Sequence, residues 1–305
     1  MVPRRLLPVL LVVIAAAGFT VGSWRGERRH AAVKPPPVTN APAPSPPVTE
    51  APASPPPTGA PSPPVADSPP PTVMDSQTCQ PPAQHPNPVV LVHGTFAMTS
   101  WSLVGPTLAQ LGYCVFTFDY GNRGTGEIAQ SAQELAAFVD RVLAGTHAAR
   151  VSIVGHSEGG MMPRYYIRFL GGAAKVDDLI GLSPSNHGTD NPLVLVGAQL
   201  GCTACAEQEA TGSPFLTRLN AGDESPAPVN YTVIQTAYDT VVTPYQSAFL
   251  AGPAARVTNV TLQSACPGDF SGHLAMPTDA VALQWVENAL ARTGPADPAF
   301  QPRCQ

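Results

Sequence analysis

Val151-Ser152-Ile153-Val154-Gly155-His156-Ser157-Glu158-Gly159-Gly160 is the stretch from which the rest of the chain is read. A short apolar run, Val151, Ile153 and Val154, meets a turn of small residues holding Ser157, and a helix-forming segment follows. The spacing Gly155-x-Ser157-x-Gly159 is that of a serine raised on a sharp strand-to-helix turn at the end of a sheet. Glycines flank such a serine because the turn leaves no room for side chains. The helix beginning behind it turns its N-terminus toward the serine and favours negative charge developing there.

Outward from this turn, short apolar runs alternate with helical patterns. Strands are expected at Pro88–Val92, Cys114–Phe118, Val151–Val154, Val176–Leu182, Val229–Gln235 and Arg256–Leu262. Helices are expected at Leu103–Leu111, Ile128–Leu143 (ended by Gly145), Gly159–Leu170 and Pro277–Ala291. The helix from Ile128 carries an apolar stripe, Ile128, Ala132, Leu135, Phe138, Val139 and Val142. Alternating strands and helices predict an α/β fold with about six mostly parallel strands and helices on both faces. Residues 190–225, rich in Pro and Gly, fit no strand–helix unit and are expected to form a cap or lid.

The N-terminal quarter is different. Arg4 and Arg5 precede an apolar stretch of seventeen residues, Leu6–Gly22, which reads as a signal peptide over residues 1–23, with Ala15-Ala16-Ala17 as a cleavage site. Arg25, Arg28 and Arg29 oppose easy translocation, which leaves an uncleaved anchor as the alternative. Residues 35–72 contain 17 prolines in 38 positions, so residues 24–78 read as a disordered or polyproline linker. At about 3.1 Å per residue that linker spans about 100 Å, enough for a spacer along a cell envelope. The catalytic domain is then 79–305.

The formal net charge of the whole chain is −5, but residues 1–34 hold six basic residues and one acid, which leaves an acidic body. Such a body argues against nucleic-acid binding and against a polybasic membrane-surface mode. Six cysteines downstream of an export signal point to disulfides. The pairs expected are Cys79–Cys114, Cys202–Cys205 and Cys266–Cys304. Cys202-Thr-Ala-Cys205 lacks a second cysteine pair or a His cluster, so a structural bond is expected and no metal site.

A serine nucleophile needs a base and an orienting acid. In sheets of this kind the order along the chain is Ser, acid, His. Of the histidines after Ser157, His273 follows the last strand, where a base must be delivered, and His187 either lines the pocket or caps a loop. Asp239 follows the strand ending at Gln235 and can orient the imidazole. Asp223 precedes that strand and Asp269 is too near His273 in sequence. The oxyanion needs two backbone N–H donors, here expected from Glu158, the residue after the nucleophile, and Thr95 in His93-Gly94-Thr95-Phe96. His93 and His156 are read as braces of their turns. Phe96, with Leu193, Val194, Leu195 and Val196, is expected along an acyl pocket, the last four being core in the alternative.

With these residues placed, the chain resembles a secreted bacterial lipase of the α/β-hydrolase superfamily, nearest the actinobacterial type, over about residues 79–304. The likeness is carried by Pro88–Phe96 (P-V-V-L-V-H-G-T-F), Gly155–Tyr166 (G-H-S-E-G-G-M-M-P-R-Y-Y), Ser183–Thr189 (S-P-S-N-H-G-T) and Tyr238–Pro244 (Y-D-T-V-V-T-P). The resemblance implies a small α/β-hydrolase fold and hydrolysis of carboxylic esters, often acylglycerols, without metal or coenzyme. It implies a lipid or other ester as partner, a secreted or envelope-associated monomer and membrane association only through the N-terminal segment. One departure stands out: many lipases carry Met or Gln after the nucleophile, whereas this chain has Glu158, whose carboxylate would raise the base's pKa or disfavour anionic substrates. Two other readings keep the same scaffold: acyl transfer to cell-envelope lipids or sugars, and a non-catalytic binding protein. The glycosylation-type triplets at Asn230 and Asn259 fall in expected strands and read as chance.

Overall fold

The computed structural model describes residues 79–209 and 212–304, without the side chains of Leu193 and Leu195. The signal or anchor over 1–23 and the linker over 24–78 lie outside the described residues. Among these, six strands form one parallel sheet: β1 (Val89–Val92), β2 (Val115–Phe118), β3 (Val151–His156), β4 (Val176–Leu182), β5 (Asn230–Gln235) and β6 (Val257–Thr261). Their order is β2-β1-β3-β4-β5-β6, so the Ser157 turn leaves the sheet near its middle, at the point where the strand order reverses.

β1 explains the short unbroken apolar runs. Val89 and Leu91 face one core layer, Val90 and Val92 the other, and all four are inaccessible. A parallel strand covered by helices on both faces has no polar side to offer. On one face lie α1 (Val104–Gln110) and α7 (Ala280–Leu290); on the other lie α2 (Ile128–Thr146) and α3 (Glu158–Phe169). The α2 stripe of Ile128, Ala132, Leu135, Phe138, Val139 and Val142 is buried throughout. Two helix ends lie three residues from the sequence expectation. Helix α2 runs through Gly145 to Thr146 and stops at His147, which takes the left-handed conformation (φ 57°). Helix α7 starts at Ala280 because Asp279 caps the Ala282 N–H at 2.6 Å, while Pro277 sits in the preceding 3-10 turn, His273–Thr278.

Residues 190–225 are more regular than expected: they hold α4 (Pro192–Gln199), α5 (Thr203–Glu207) and α6 (Pro214–Asn220). Leu216 and Leu219 of α6 join the core beside α2 and α3, so this part of the segment is not a lid. Glu207 at the end of α5 accepts the Ile128 N–H at 2.7 Å and so caps α2. Disulfides join Cys79 to Cys114, Cys202 to Cys205 and Cys266 to Cys304. No helix among the described residues is long and apolar enough to cross a membrane.

At the far end of the sheet, Asp178 of β4 accepts from Ser152 (2.9 Å) and Asn230 (3.2 Å). Burial, then the neighbouring Asp177, push its carboxyl up to about 7. A carboxyl whose folded pKa lies above its unfolded value releases its proton first in the unfolded chain, so it withdraws stability as pH rises from about 4 to about 7. Asp178→Asn is therefore expected to raise the Tm at pH 8 and to narrow its advantage at pH 4. The gain at pH 8 should be about 1–3 kcal/mol by thermal melts at the two pH values.

Candidate active site

The Ser157 turn is built by close approach. A Cβ at Gly155 would collide with the Gly159 carbonyl, and a Cβ at Gly159 with the carbonyls of Val92 and His93. Between them Ser157 takes φ 57°, ψ −125°, a conformation rare for a non-glycine residue, fixed by its N–H to the Leu182 carbonyl at 2.9 Å. Helix α3 begins at the next residue, so the Glu158 N–H opens that helix without an intrahelical acceptor. Thr95 likewise opens the short 3-10 turn Thr95–Ala97 after β1.

Asp239 and His273 arrive on the loops after β5 and β6, and His273 Nδ1 stands 2.8 Å from Asp239 Oδ2. The other carboxylate oxygen, Oδ1, accepts the N–H groups of Val241 and Val242, each at 2.8 Å. Burial pushes the Asp239 carboxyl up, but the hydrogen bond and charge of His273 and the two N–H groups outweigh it and hold it below its ordinary value. With Nδ1–H given to Asp239, His273 Nε2 is left as an acceptor. The two loops are tied by Thr236, whose hydroxyl donates to the Ser271 carbonyl at 2.6 Å, and by the Tyr238–Phe270 ring pair. Asp269 and Asp223 take other work, accepting the N–H groups of Ser271 and Ser225.

Ser157, His156 and His273 share the wall of one cavity of about 250 Å³. No hydrogen bond joins Ser157 Oγ to His273 among the described residues; such pairs tighten when substrate arrives. The rest of the wall is mostly apolar, with Phe96, Met98, Val194, Val241, Val242 and Leu274, and Thr95, Ser185 and Gln208 supply polar atoms. Phe96 and Val194, two of the residues expected along an acyl pocket, line this cavity. Val196 is exposed, and the side chains of Leu193 and Leu195 lie outside the described residues. His187 is not a pocket residue: its ring bridges the Ser247 carbonyl (2.9 Å) and the Glu224 carboxylate (3.0 Å), away from the cavity.

His156 donates from Nε2 to the His273 carbonyl (2.9 Å) and accepts the Thr99 hydroxyl at Nδ1 (2.9 Å), and Thr99 in turn accepts the Gly94 N–H (2.9 Å). One ring thus joins the base loop to the turn carrying Thr95. Burial, then the neighbouring His273, push His156 down to about 3, so it is neutral and keeps this donor–acceptor polarity. His93 donates to the Gly94 carbonyl at 2.8 Å and stacks on Tyr120.

The Glu158 side chain is held on the oxyanion side of the site. Its partners are Thr95, whose hydroxyl donates to Oε2 at 2.6 Å, and Gln208, whose amide donates at 3.2 Å, rather than His273. Gln208 and Thr99 have no sequence signal: the contacts of Gln208 with Thr95 and Glu158, and of Thr99 with His156, each span 50 residues or more. Among the described residues, no group of three or more His, Cys, Asp or Glu side chains is placed to hold a metal ion.

Solved structures with this fold include lipase B of Aspergillus fumigatus, 23% identical with a TM-score of 0.62 over 70% of this chain and 54% of that one. The propeptide form of the Bacillus licheniformis lipase BlEst2 is 14% identical, with a TM-score of 0.53 over 73% and 54%. A gene product of Listeria innocua is 11% identical, with a TM-score of 0.50 over 71% and 98%. The chain thus spans about half the length of the Aspergillus lipase it matches. These likenesses define the architecture as a small α/β-hydrolase fold. The family model described as lipase (class 2) matches residues 86–286, from just before β1 into α7, a span that contains Ser157, Asp239 and His273. The chain belongs to the class 2 lipase family.

Proposed function

We propose that this protein hydrolyses carboxylic esters of apolar acids through Ser157, Asp239 and His273. The observation that carries the reading is the buried Asp239–His273 hydrogen bond behind the cavity wall that His273 shares with Ser157. Ser157 Oγ attacks the ester carbonyl while His273 Nε2 takes its proton. The carbonyl electrons move to oxygen, where the N–H groups of Thr95 and Glu158 receive them. As the C–O bond to the alcohol breaks, His273 returns the proton to the leaving oxygen and an acyl-Ser157 remains. Water, deprotonated by His273, then attacks that ester, and the acid leaves as Ser157 Oγ recovers its proton.

An apolar acyl group is favoured by the cavity wall and by its rim, where Phe96, Met98 and Leu274 are 42%, 58% and 55% exposed. Residues 79–305 are the catalytic domain in this reading, with α4 and α5 as the part of 190–225 that covers the site. The three disulfides support an exported protein, since such bonds persist in oxidising compartments. The test is hydrolysis of a p-nitrophenyl ester series from acetate to palmitate, beside labelling with a fluorophosphonate. Activity rising toward the longer acyl chains, with the label on Ser157, is the expected result. Activity on acetate alone would make the enzyme a short-chain esterase. A folded protein that neither hydrolyses nor labels would overturn the reading.

A further inference from the structure

The buried carboxyl of Glu158 has no place in the steps above, yet it touches both sides of the oxyanion site. Its side chain is wholly inaccessible. Oε2 accepts the Thr95 hydroxyl at 2.6 Å and the Gln208 amide at 3.2 Å; the same amide reaches Thr95 Oγ1 at 3.1 Å, and the Ser185 hydroxyl holds Gln208 Oε1 at 2.6 Å. One polar cluster therefore joins the residue after the nucleophile, the turn after β1, the loop after β4 and the end of α5. Oε1 has no hydrogen-bond partner among the described residues. The Tyr120 hydroxyl lies against this carboxyl but spends its proton on the His93 carbonyl at 2.8 Å, so it presents a lone pair. A carboxyl O–H fits that lone pair, whereas a bare Oε1 O⁻ would stand buried and unmatched.

We propose that Glu158 is a positioning residue that works as the neutral acid, clamping the Thr95 turn and the Gln208 end of α5 against the Ser157 turn so that the two oxyanion-facing N–H groups converge. The proposal rests on the ester-hydrolase reading and deepens it. Burial pushes the Glu158 carboxyl up to about 8, against the hydrogen bonds from Thr95 and Gln208. The charged and titratable groups around it reinforce this: Glu207 at the end of α5 and, through Tyr120, Glu134 of α2 are acids, and His93, stacked on Tyr120, is pushed down by burial. Above about pH 8 the clamp gains a negative charge beside the place where the oxyanion forms, and the rate should fall.

The test is kcat and KM from pH 6 to pH 10 for wild type, Glu158→Gln and Glu158→Ala, corrected for spontaneous hydrolysis, with melts to confirm folding. Glutamine reproduces the neutral acid, its carbonyl accepting from Thr95 and its amide donating toward Tyr120, but it cannot ionise. Expected are a wild-type kcat that falls above about pH 8, a Gln variant without that fall, and an Ala variant whose kcat at pH 7 is lower by about 30-fold with KM moved less than about threefold. The Gln variant should recover at least about tenfold of the Ala loss. A wild-type rate flat to pH 10, a Gln variant that keeps the wild-type fall, or an Ala variant with wild-type kcat each overturns the proposal. Should the Ala variant fail to fold, the Gln pH profile decides alone. A wild type that neither hydrolyses esters nor labels at Ser157 sinks the hydrolase reading and the clamp with it. An active, labelled wild type with any of the three contrary profiles sinks the clamp alone.

Discussion

Ser157→Ala is expected to lower kcat by about 10⁵-fold or more, with a Tm within about 2 °C of wild type. The loss follows from the proposed covalent step: without Oγ no acyl-enzyme forms, and what remains is the help that N–H donors and binding give to water. The unchanged stability follows from the site's construction. Among the described residues Ser157 Oγ makes no hydrogen bond, so its removal orphans no buried partner there, and the bond that fixes the turn, Ser157 N–H to the Leu182 carbonyl, is backbone. Alanine adopts φ 57°, ψ −125° under the same steric load as serine, so the strain at the turn is neither relieved nor increased. The measurement is hydrolysis and fluorophosphonate labelling beside a thermal melt. A melting point lowered by several degrees would mean that activity was lost through the fold, and retained hydrolysis would remove Ser157 from the chemistry.

The sheet was readable because its strands are short runs with no polar face. A run such as Val89–Val92 packs on both sides, and its abrupt end at His93-Gly94 marks where the chain leaves the sheet. The Ser157 turn was readable for the opposite reason: its collisions exclude all but glycine at Gly155 and Gly159, and that exclusion is visible as a pattern. The segment from 190 to 225 was not. Helix α4 is apolar on every side and so has no period to detect, and α5 has only five residues. A signal for α6 did exist in Ser213-Pro214, a cap followed by proline at the first helical position, where the Ser213 hydroxyl accepts the Leu216 N–H at 3.1 Å. The order Ser157, Asp239, His273 was legible because loop order follows strand order. Contacts made at a distance in sequence were not: Gln208 reaches Thr95 across 113 residues and His156 reaches the His273 carbonyl across 117. The partners of the Glu158 carboxyl were illegible for the same reason, since nothing near it in sequence points to Thr95 and Gln208.

Asp239→Asn should cost about 10⁴-fold in kcat while leaving the fold and substrate binding nearly intact. The size of the loss comes from the other half of the carboxylate. Oδ1 of Asp239 accepts two backbone N–H groups, from Val241 and Val242, at 2.8 Å each. An asparagine must keep its carbonyl oxygen there, because turning the amide over would set its NH₂ against two buried donors. Its NH₂ is then directed at His273 Nδ1, which at 2.8 Å can only accept. The imidazole proton moves to Nε2, and the nitrogen that should receive the Ser157 proton carries one already. The imidazolium that forms in the transition state also loses its buried counter-charge, since both Asp239 and His273 are nearly inaccessible. KM is expected to move less than about threefold, because Asp239 is not among the residues lining the cavity. Fluorophosphonate labelling of Ser157 should slow in parallel with turnover. A variant with unaltered kcat would mean that the His273 tautomer is set by something other than Asp239, and a variant that loses KM instead would place Asp239 in substrate binding.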